Sequence, residues 1–441
     1  MKLILSPVVR QYALVVTVNF AILATGISIG WPSPTMVKLR NPLETPLERP
    51  ITVEEGSWLI SLGYLVAIFS NFAGGILLDK MGRRNSILLI SILKLCTAIT
   101  LIFANKVWIF ITCRTLMIVV DCFVMVAVPI YASEIANKEH RGSLGTLLQL
   151  FSAMGILFTL SIGPFLPYKT FSIVFAGALF VLYLPLLVLP ETPFHLYSRG
   201  RVDEALKVLT KLRNSEIIAR EEIEEYRISK NKNKEKINKM ALFMKKTFLK
   251  GLALGICLGA GSQLIGINAV MFYLQTIMEA ANTSVPPEVA SVIVGVIQVL
   301  GSFCTSFITY RFGRRSILLF TLVGIFIGMM GLGIFFKVSE INGNVVTGIG
   351  SLLWVVASEL FEGPARAVGC TISITSATVT VFLSSKYFTS MIQALGPAYT
   401  YWTFCCVCVV FFAIIAIFLP ETKGKSFREI QVALGEKREV I

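Results

Sequence analysis

Charge is in short supply along this 441-residue chain: Asp, Glu, Lys and Arg make up 15% of it, against 55% for the hydrophobic residues. A soluble globular chain carries about 25% charge, so the composition excludes an ordinary water-soluble domain. Histidine is rarer still. His140 and His195 are the only two, too far apart in sequence and topology to suggest a metal site. No Ser/His/Asp set, phosphate-binding glycine loop or zinc-ligand spacing occurs, which argues against an enzyme. The nine cysteines (96, 113, 122, 257, 304, 370, 405, 406 and 408) all lie in apolar stretches, which points to helix packing rather than a disulfide framework. Acid is the scarcer sign, 26 Asp and Glu against 40 Lys and Arg. That basic excess reads as membrane topology, not as a nucleic-acid surface.

What the chain has in abundance is long apolar runs. Twelve candidate spans fall at roughly 12–31, 57–78, 86–104, 108–132, 142–163, 170–189, 248–278, 288–309, 316–336, 345–361, 367–388 and 397–419. Runs of this length cross a bilayer as helices, because lipid leaves backbone polar groups no partners but their own. The first run is too long in its apolar part, and lacks the A-x-A-like site, for a signal peptide; it is expected to be helix 1. Between helices 6 and 7, residues 196–250 hold 15 Lys and Arg against 8 Asp and Glu. The positive-inside rule places this stretch, the short loops "DKMGRR" and "YRFGRR", and both termini in the cytoplasm.

The chain also repeats itself. Gly82-Arg83-Arg84 returns as Gly313-Arg314-Arg315, an offset of 231. Glu134 with Arg141 returns as Glu359 with Arg366, an offset of 225, and the Pro-Glu-Thr at Pro190 returns at Pro420, an offset of 230. The order is the same in both copies, which predicts two six-helix halves joined by a charged linker, the parallel repeat of one large class of secondary transporters. The expected architecture is an all-α membrane protein of twelve transmembrane helices. Its parts are a half over 1–195, a cytoplasmic linker with short helices over 196–247, a half over 248–421 and a tail over 422–441. The repeated charges, with Asp79, are expected at the inner ends of helices, where arginines and carboxylates can pair across the halves and gate the inner side. Each such pair at a wet surface is worth about 0–1 kcal/mol, so several must act together.

"GGILLDKMGRR", "PIYASEIANKEHRGSLGTLLQL", "PETPFHLYSRGR", "GSQLIGINAVMFY", "RFGRR", "ASELFEGPARAVG" and "PETKGKS" occur in one order over nearly the whole chain. In these segments the chain resembles the sugar porter family of the major facilitator superfamily. "GISIGWPSP" and "PETKGKSFREIQ" look most like its insect facilitated trehalose transporter branch. The resemblance implies alternating access, passage of a mono- or disaccharide unchanged, and no cofactor. Independently, a sugar pocket needs groups that both donate and accept, as amides do, because unpaired buried hydroxyls are costly. Gln149, Gln263, Asn268 and Gln298 are amides inside spans, and they align with the family's sugar-contacting positions. Trp354 matches its pocket tryptophan, and Phe272 and Tyr273 match its outer gate aromatics. Each amide taken alone reads equally well as a helix–helix contact. Gly261 and Gly266 are expected to loosen helix 7 beside the pocket.

The chain departs from the family in several places. Ser262 stands for the first Gln of the helix-7 pair, and Ala377-Thr378 for an Asn-Trp in helix 11. The span Gly348–Trp354 has lost both prolines of the family's pattern, and Gly313 to Glu359 is 46 residues where Gly82 to Glu134 is 52. A lineage-specific trim and a mis-spliced gene model both account for that shortness. Asp121 is a carboxylate inside a span, which is a functional-site hypothesis by default. Arg114, seven residues earlier on the same helix face, is its expected partner in a structural pair, with proton coupling as the sharper reading. Proton-coupled relatives usually carry an acid where Ser28 stands. Asn282 opens a glycosylation sequon in an outer loop. The expected function is facilitative sugar transport, of a hexose or a trehalose-like disaccharide, in the plasma membrane. The bilayer is its surrounding and no nucleic acid its partner, and it is expected to work as a monomer. A non-transporting sugar sensor and a proton symporter remain the alternatives.

Overall fold

A computed structural model describes residues 6–137, 141–232, 246–281, 285–311, 314–342 and 368–420, and these contain helices and no strand. The first half is built from α1 (Pro7–Gly30), running into α2 (Pro32–Arg40), then α3 (Val53–Met81), α4 (Arg83–Ile102), α5 (Val107–Ile135), α6 (Arg141–Ile162) and α7 (Tyr168–Tyr183). Pro32 opens α2 at a position where its missing N–H costs nothing. At the start of α3, Thr52 and Glu55 each accept the other's backbone N–H, a capping box that fixes where the helix begins. After α7 the last apolar turns tighten into a 3-10 helix, Leu184–Val188, and the chain leaves through Pro190.

Three short helices follow: α8 (Pro193–Ser198), α9 (Val202–Arg213) and α10 (Glu216–Lys232). Within 196–247, where short helices are expected, the described residues hold the end of α8, α9, α10 and the first two residues of the helix that starts at Lys246. α9 buries Ala205, Leu209 and Leu212 along one face, the spacing of an amphipathic helix, against the first half. Arg213 ties this layer down: its guanidinium pairs with Glu222 at 2.9 Å and donates to the Ile135 carbonyl at 3.0 Å. Gln11 donates to the Leu212 carbonyl at 3.3 Å and accepts from the Asn137 N–H at 3.0 Å, so α1, α9 and the segment just after α5 meet at one polar residue.

The second half comprises α11 (Lys246–Leu264), α12 (Ile267–Phe272), α13 (Leu274–Ala281), α14 (Pro287–Arg311), α15 (Arg314–Asn342), α16 (Val368–Leu395) and α17 (Pro397–Phe418). The expected span 345–361 lies outside the described residues. Among the described residues eight helices are long and apolar enough to cross a membrane, and a ninth if Val53–Ser70 and Gly74–Met81 count as one span. The repeat seen in the motifs recurs in the packing. α1 lies along α6 as α11 lies along α16, and α4 pairs with α7 as α15 pairs with α17. The halves meet through α3 against α16 and α6 against α14.

Candidate functional site

Helix 7 of the sequence reading is not one helix. α11 stops at Leu264 and α12 starts at Ile267, with Gly266 between them at φ 82°, a left-handed conformation that any side chain would strain. A Cβ on Gly266 would also lie 2.8 Å from the Phe404 ring. Gln263 and Asn268 flank this break, and the Asn268 amide donates to the Gln263 side-chain oxygen. Gln263 in turn donates to Ser262 Oγ at 3.3 Å. Breaking a spanning helix frees backbone polar groups and turns side chains out of register, which is how transporters build midplane sites. Gly261, expected to loosen this helix, does something else. It lies inside α11 with a Cβ position 2.1 Å from the Phe411 ring, so it permits close packing on α17, and the helix breaks at Gly266.

Gln149 on α6 is half-buried, and Gln298 on α14 is buried with its side-chain oxygen lacking a hydrogen-bond partner. Their helices touch across the halves where Gly295 approaches Leu157. An unpartnered buried acceptor costs about 1–3 kcal/mol, which a bound donor would recover. Trp354 lies outside the described residues, as do Glu359, Arg366 and Asn282.

Phe272 and Tyr273 are fully buried. Phe272 stacks on Tyr64 of α3, with centroids 5.9 Å apart, and Tyr273 stacks on Phe388 of α16 at 5.4 Å. The Tyr64 contact joins the two halves. So does Ser33 of α2, whose hydroxyl accepts the Gln275 N–H of α13 at 3.1 Å.

The intramembrane charges are arranged differently from the sequence reading. Asp121 pairs with Lys94 of α4, not with Arg114. Seven residues along a helix is about 10 Å of rise, too far for direct contact, while the neighbouring helix offers a lysine beside the carboxylate. Lys94 also donates to the Ala24 carbonyl at 3.0 Å, so three helices meet at one ammonium. Arg114 instead donates to the carbonyl and hydroxyl of Ser28, at 2.8 and 2.9 Å, and lies 5.7 Å from the Trp31 ring. Lys94 is the one charge within the apolar run of α4, and that isolation is the signal in the sequence that marks it.

At the other end of the first half, the motif residues converge. Arg83 pairs with Glu134 at 3.0 Å and with Asp79 at 3.5 Å, and donates to His195 Nδ1 at 3.1 Å. One oxygen of Glu191 accepts the backbone N–H groups of Arg83, Arg84 and Thr192, at 2.9, 3.2 and 2.9 Å. The Pro-Glu-Thr carboxylate therefore sits on the N-terminus of α4, where free N–H groups and the helix dipole favour an anion. The Arg84 guanidinium donates to the Leu187 carbonyl at 2.8 Å. Its repeat, Arg315, donates to the Ala416 carbonyl near the end of α17. The second arginine of each Gly-Arg-Arg thus closes the carbonyl end of the last helix of its half, which accounts for motifs that recur together. Pairing across the halves was expected of these charges; for Arg83 the partners are inside one half. Phe194, 5.9 Å below the Arg83 guanidinium, completes this cluster. The side chains of Arg141 and Arg314 lie outside the description.

A long helix broken between two amides, in a helical chain whose motifs repeat in two halves, is the layout of a membrane transporter of small polar solutes. The family described as Sugar (and other) transporter matches residues 29–434, and the chain belongs to that family. Among its relatives, the Facilitated trehalose transporter Tret1 of Polypedilum vanderplanki is 27% identical over 96% of this chain and 87% of its own. That of Bombyx mori is 27% identical over 94% and 85%. The fold is similar to the inward-open xylose transporter XylE from E. coli, with a TM-score of 0.77 at 21% identity, covering 96% of this chain and 99% of that one. The twelve-helix major facilitator fold and a role in sugar transport, not catalysis, follow from these likenesses.

Proposed function

We propose that the chain carries a hexose or a trehalose-like disaccharide across the plasma membrane by facilitated alternating access. The halves over 1–195 and 248–421 rock about a midplane pocket, and the linker over 196–247, the tail over 422–441 and both termini are cytoplasmic. The pocket is formed by Gln149, Gln263, Asn268, Gln298 and Trp354, with Phe272 and Tyr273 as the outer gate. The Arg83 cluster and its repeat around Glu359 and Arg366 form the inner one. The chain acts as a monomer in the bilayer and is glycosylated at Asn282.

The observation that carries this reading is the helix break at Gly266 between Gln263 and Asn268. Amides beside a hinge offer donors and acceptors to an uncharged polyol, and no cation stands among the pocket residues to hold a charged solute. The residue at the usual acid position of proton-coupled relatives is Ser28, engaged by Arg114, which supports uniport. Uptake of radiolabelled trehalose and glucose by cells expressing the chain tests the proposal. Saturable uptake of either sugar, lost in Gln263→Ala with surface expression retained, is the expected result. Wild-type uptake in both Gln263→Ala and Asn268→Ala would sink the pocket assignment.

A further inference from the structure

Two lysines on the long helices, Lys94 of α4 and Lys386 of α16, have partners that differ in kind. Lys94 has a carboxylate, Asp121, in its own half. Among the described residues Lys386 has no carboxylate within salt-bridge distance, the acid that acts on it being Glu54 of α3 at longer range. Lys386 lies nine residues before the end of α16 at Leu395, about 14 Å along the helix, and is half-buried. What receives it belongs to the other half. Its ammonium is 2.8 Å from Ser57 Oγ and 3.8 Å from the centroid of the Trp58 ring, both in the first two turns of α3. Phe382, one turn before Lys386, lies 6.5 Å from the same indole.

The nature of these contacts sets what they can do. A buried ion pair resists separation, because each partner left alone is an uncompensated charge. An ammonium on an indole face and a hydroxyl is held more weakly, and both partners can be rehydrated when parted. The first suits a brace within a rigid half, the second a contact made and broken as halves rock. Its position agrees: Ser57 and Trp58 are at the end of α3 opposite Arg83, beside the other inter-half contacts, Tyr64 on Phe272 and Ser33 on Gln275.

We infer that Lys386 is a gating residue of transport, an outer latch that closes on Ser57 and Trp58 and weights the protein toward the state open to the cytoplasm. The inference rests on the transport reading and adds to its gate a residue that neither motif nor repeat marks. It positions the two halves and does not touch the sugar.

The test uses the full chain in intact cells, stripped of native cysteines, with Ser33→Cys as a reporter in the outer junction. Labelling by a membrane-impermeant maleimide should rise about tenfold in Lys386→Met, the change expected for loss of a partly desolvated cation–aromatic contact. Trp58→Leu should do the same, and Lys386→Arg should restore the parent rate. Lys386→Met with Trp58→Leu should label no faster than either alone, since they break one contact. Ser57→Ala, which keeps the indole, should give a smaller rise and serves if Lys386→Met fails to reach the surface. Unchanged labelling in inserted Lys386→Met or Trp58→Leu, or additive effects in the pair, overturns the latch. Altered labelling in a chain that moves no sugar would fail the sugar reading alone, and sugar uptake with unchanged labelling would fail the latch alone.

Discussion

Replacing Asp121 by asparagine strands a cation. The Lys94 side chain is 0% exposed and that of Asp121 9%, so water cannot take the carboxylate's place. What remains around the ammonium is the Ala24 carbonyl at 3.0 Å, a dipole and not a counter-charge. Removing one partner of a buried pair costs about 3–5 kcal/mol, whereas replacing both by apolar groups of similar volume is often neutral. Asp121→Asn and Lys94→Met should therefore each lower the thermal midpoint of the detergent-solubilised protein markedly. Lys94→Met combined with Asp121→Leu should recover most of the loss. The cycle should show a coupling on the order of 3 kcal/mol between the two residues. Arg114→Gln should couple to Asp121 more weakly, because Arg114 makes no direct contact with the carboxylate and is engaged with Ser28 and Trp31. Thermal unfolding followed by size-exclusion fluorescence measures all of these. An Asp121→Asn variant as stable as the parent, or a double variant as damaged as the single, would refute the pairing.

Other outcomes follow from the same geometry. Gly266→Ala should abolish uptake, since the left-handed backbone costs about 1–2 kcal/mol for a side chain and its Cβ would meet Phe404 at 2.8 Å. Transport assays on surface-expressed protein check it. Glu191→Ala should loosen the start of α4, seen as faster hydrogen exchange at Arg83 and Arg84, because it strips one acceptor from three N–H groups. His195 supplies a pH dependence. Burial lowers its imidazole pKa, Glu191 and Asp79 oppose that, and Arg83 and Arg199 reinforce it. A depressed folded value means the unfolded chain takes up the proton first, so the contribution is complete above the unfolded value of about 6.5 and is lost as pH falls through the folded one. Protonation also removes the acceptor for Arg83. Stability should decline below about pH 6.5, and His195→Gln should flatten that decline in a pH series of thermal midpoints.

The fold was legible because membrane helices announce themselves by length and the halves by repeated words. Gly-Arg-Arg and Pro-Glu-Thr sit far apart in sequence, yet Glu191 meets the amides of Arg83 and Arg84, a contact that makes their joint recurrence intelligible. Gln263 and Asn268 were legible as a pair, and Gly266 as a weak point beside them. Spacing on one helix suggested Arg114 for Asp121, but the choice of partner is made by the neighbouring helix, and one-dimensional periodicity does not show which lysine faces it. Gly261 was misread for a similar reason: a glycine that admits Phe411 and one that bends the chain look alike in sequence. Lys386 carries no motif, and its meaning arises only when α3 and α16 are brought together.

On the proposed function, the chain moves an uncharged sugar down its gradient through a pocket at the helix break. Purified protein in proteoliposomes, given labelled trehalose or glucose with and without an imposed proton gradient, tests it most directly. Saturable uptake of at least one of these sugars, equal in both conditions and lost in Gln263→Ala, is the expected result. Uptake that appears only with the proton gradient, or none of either sugar from correctly folded protein, would contradict it.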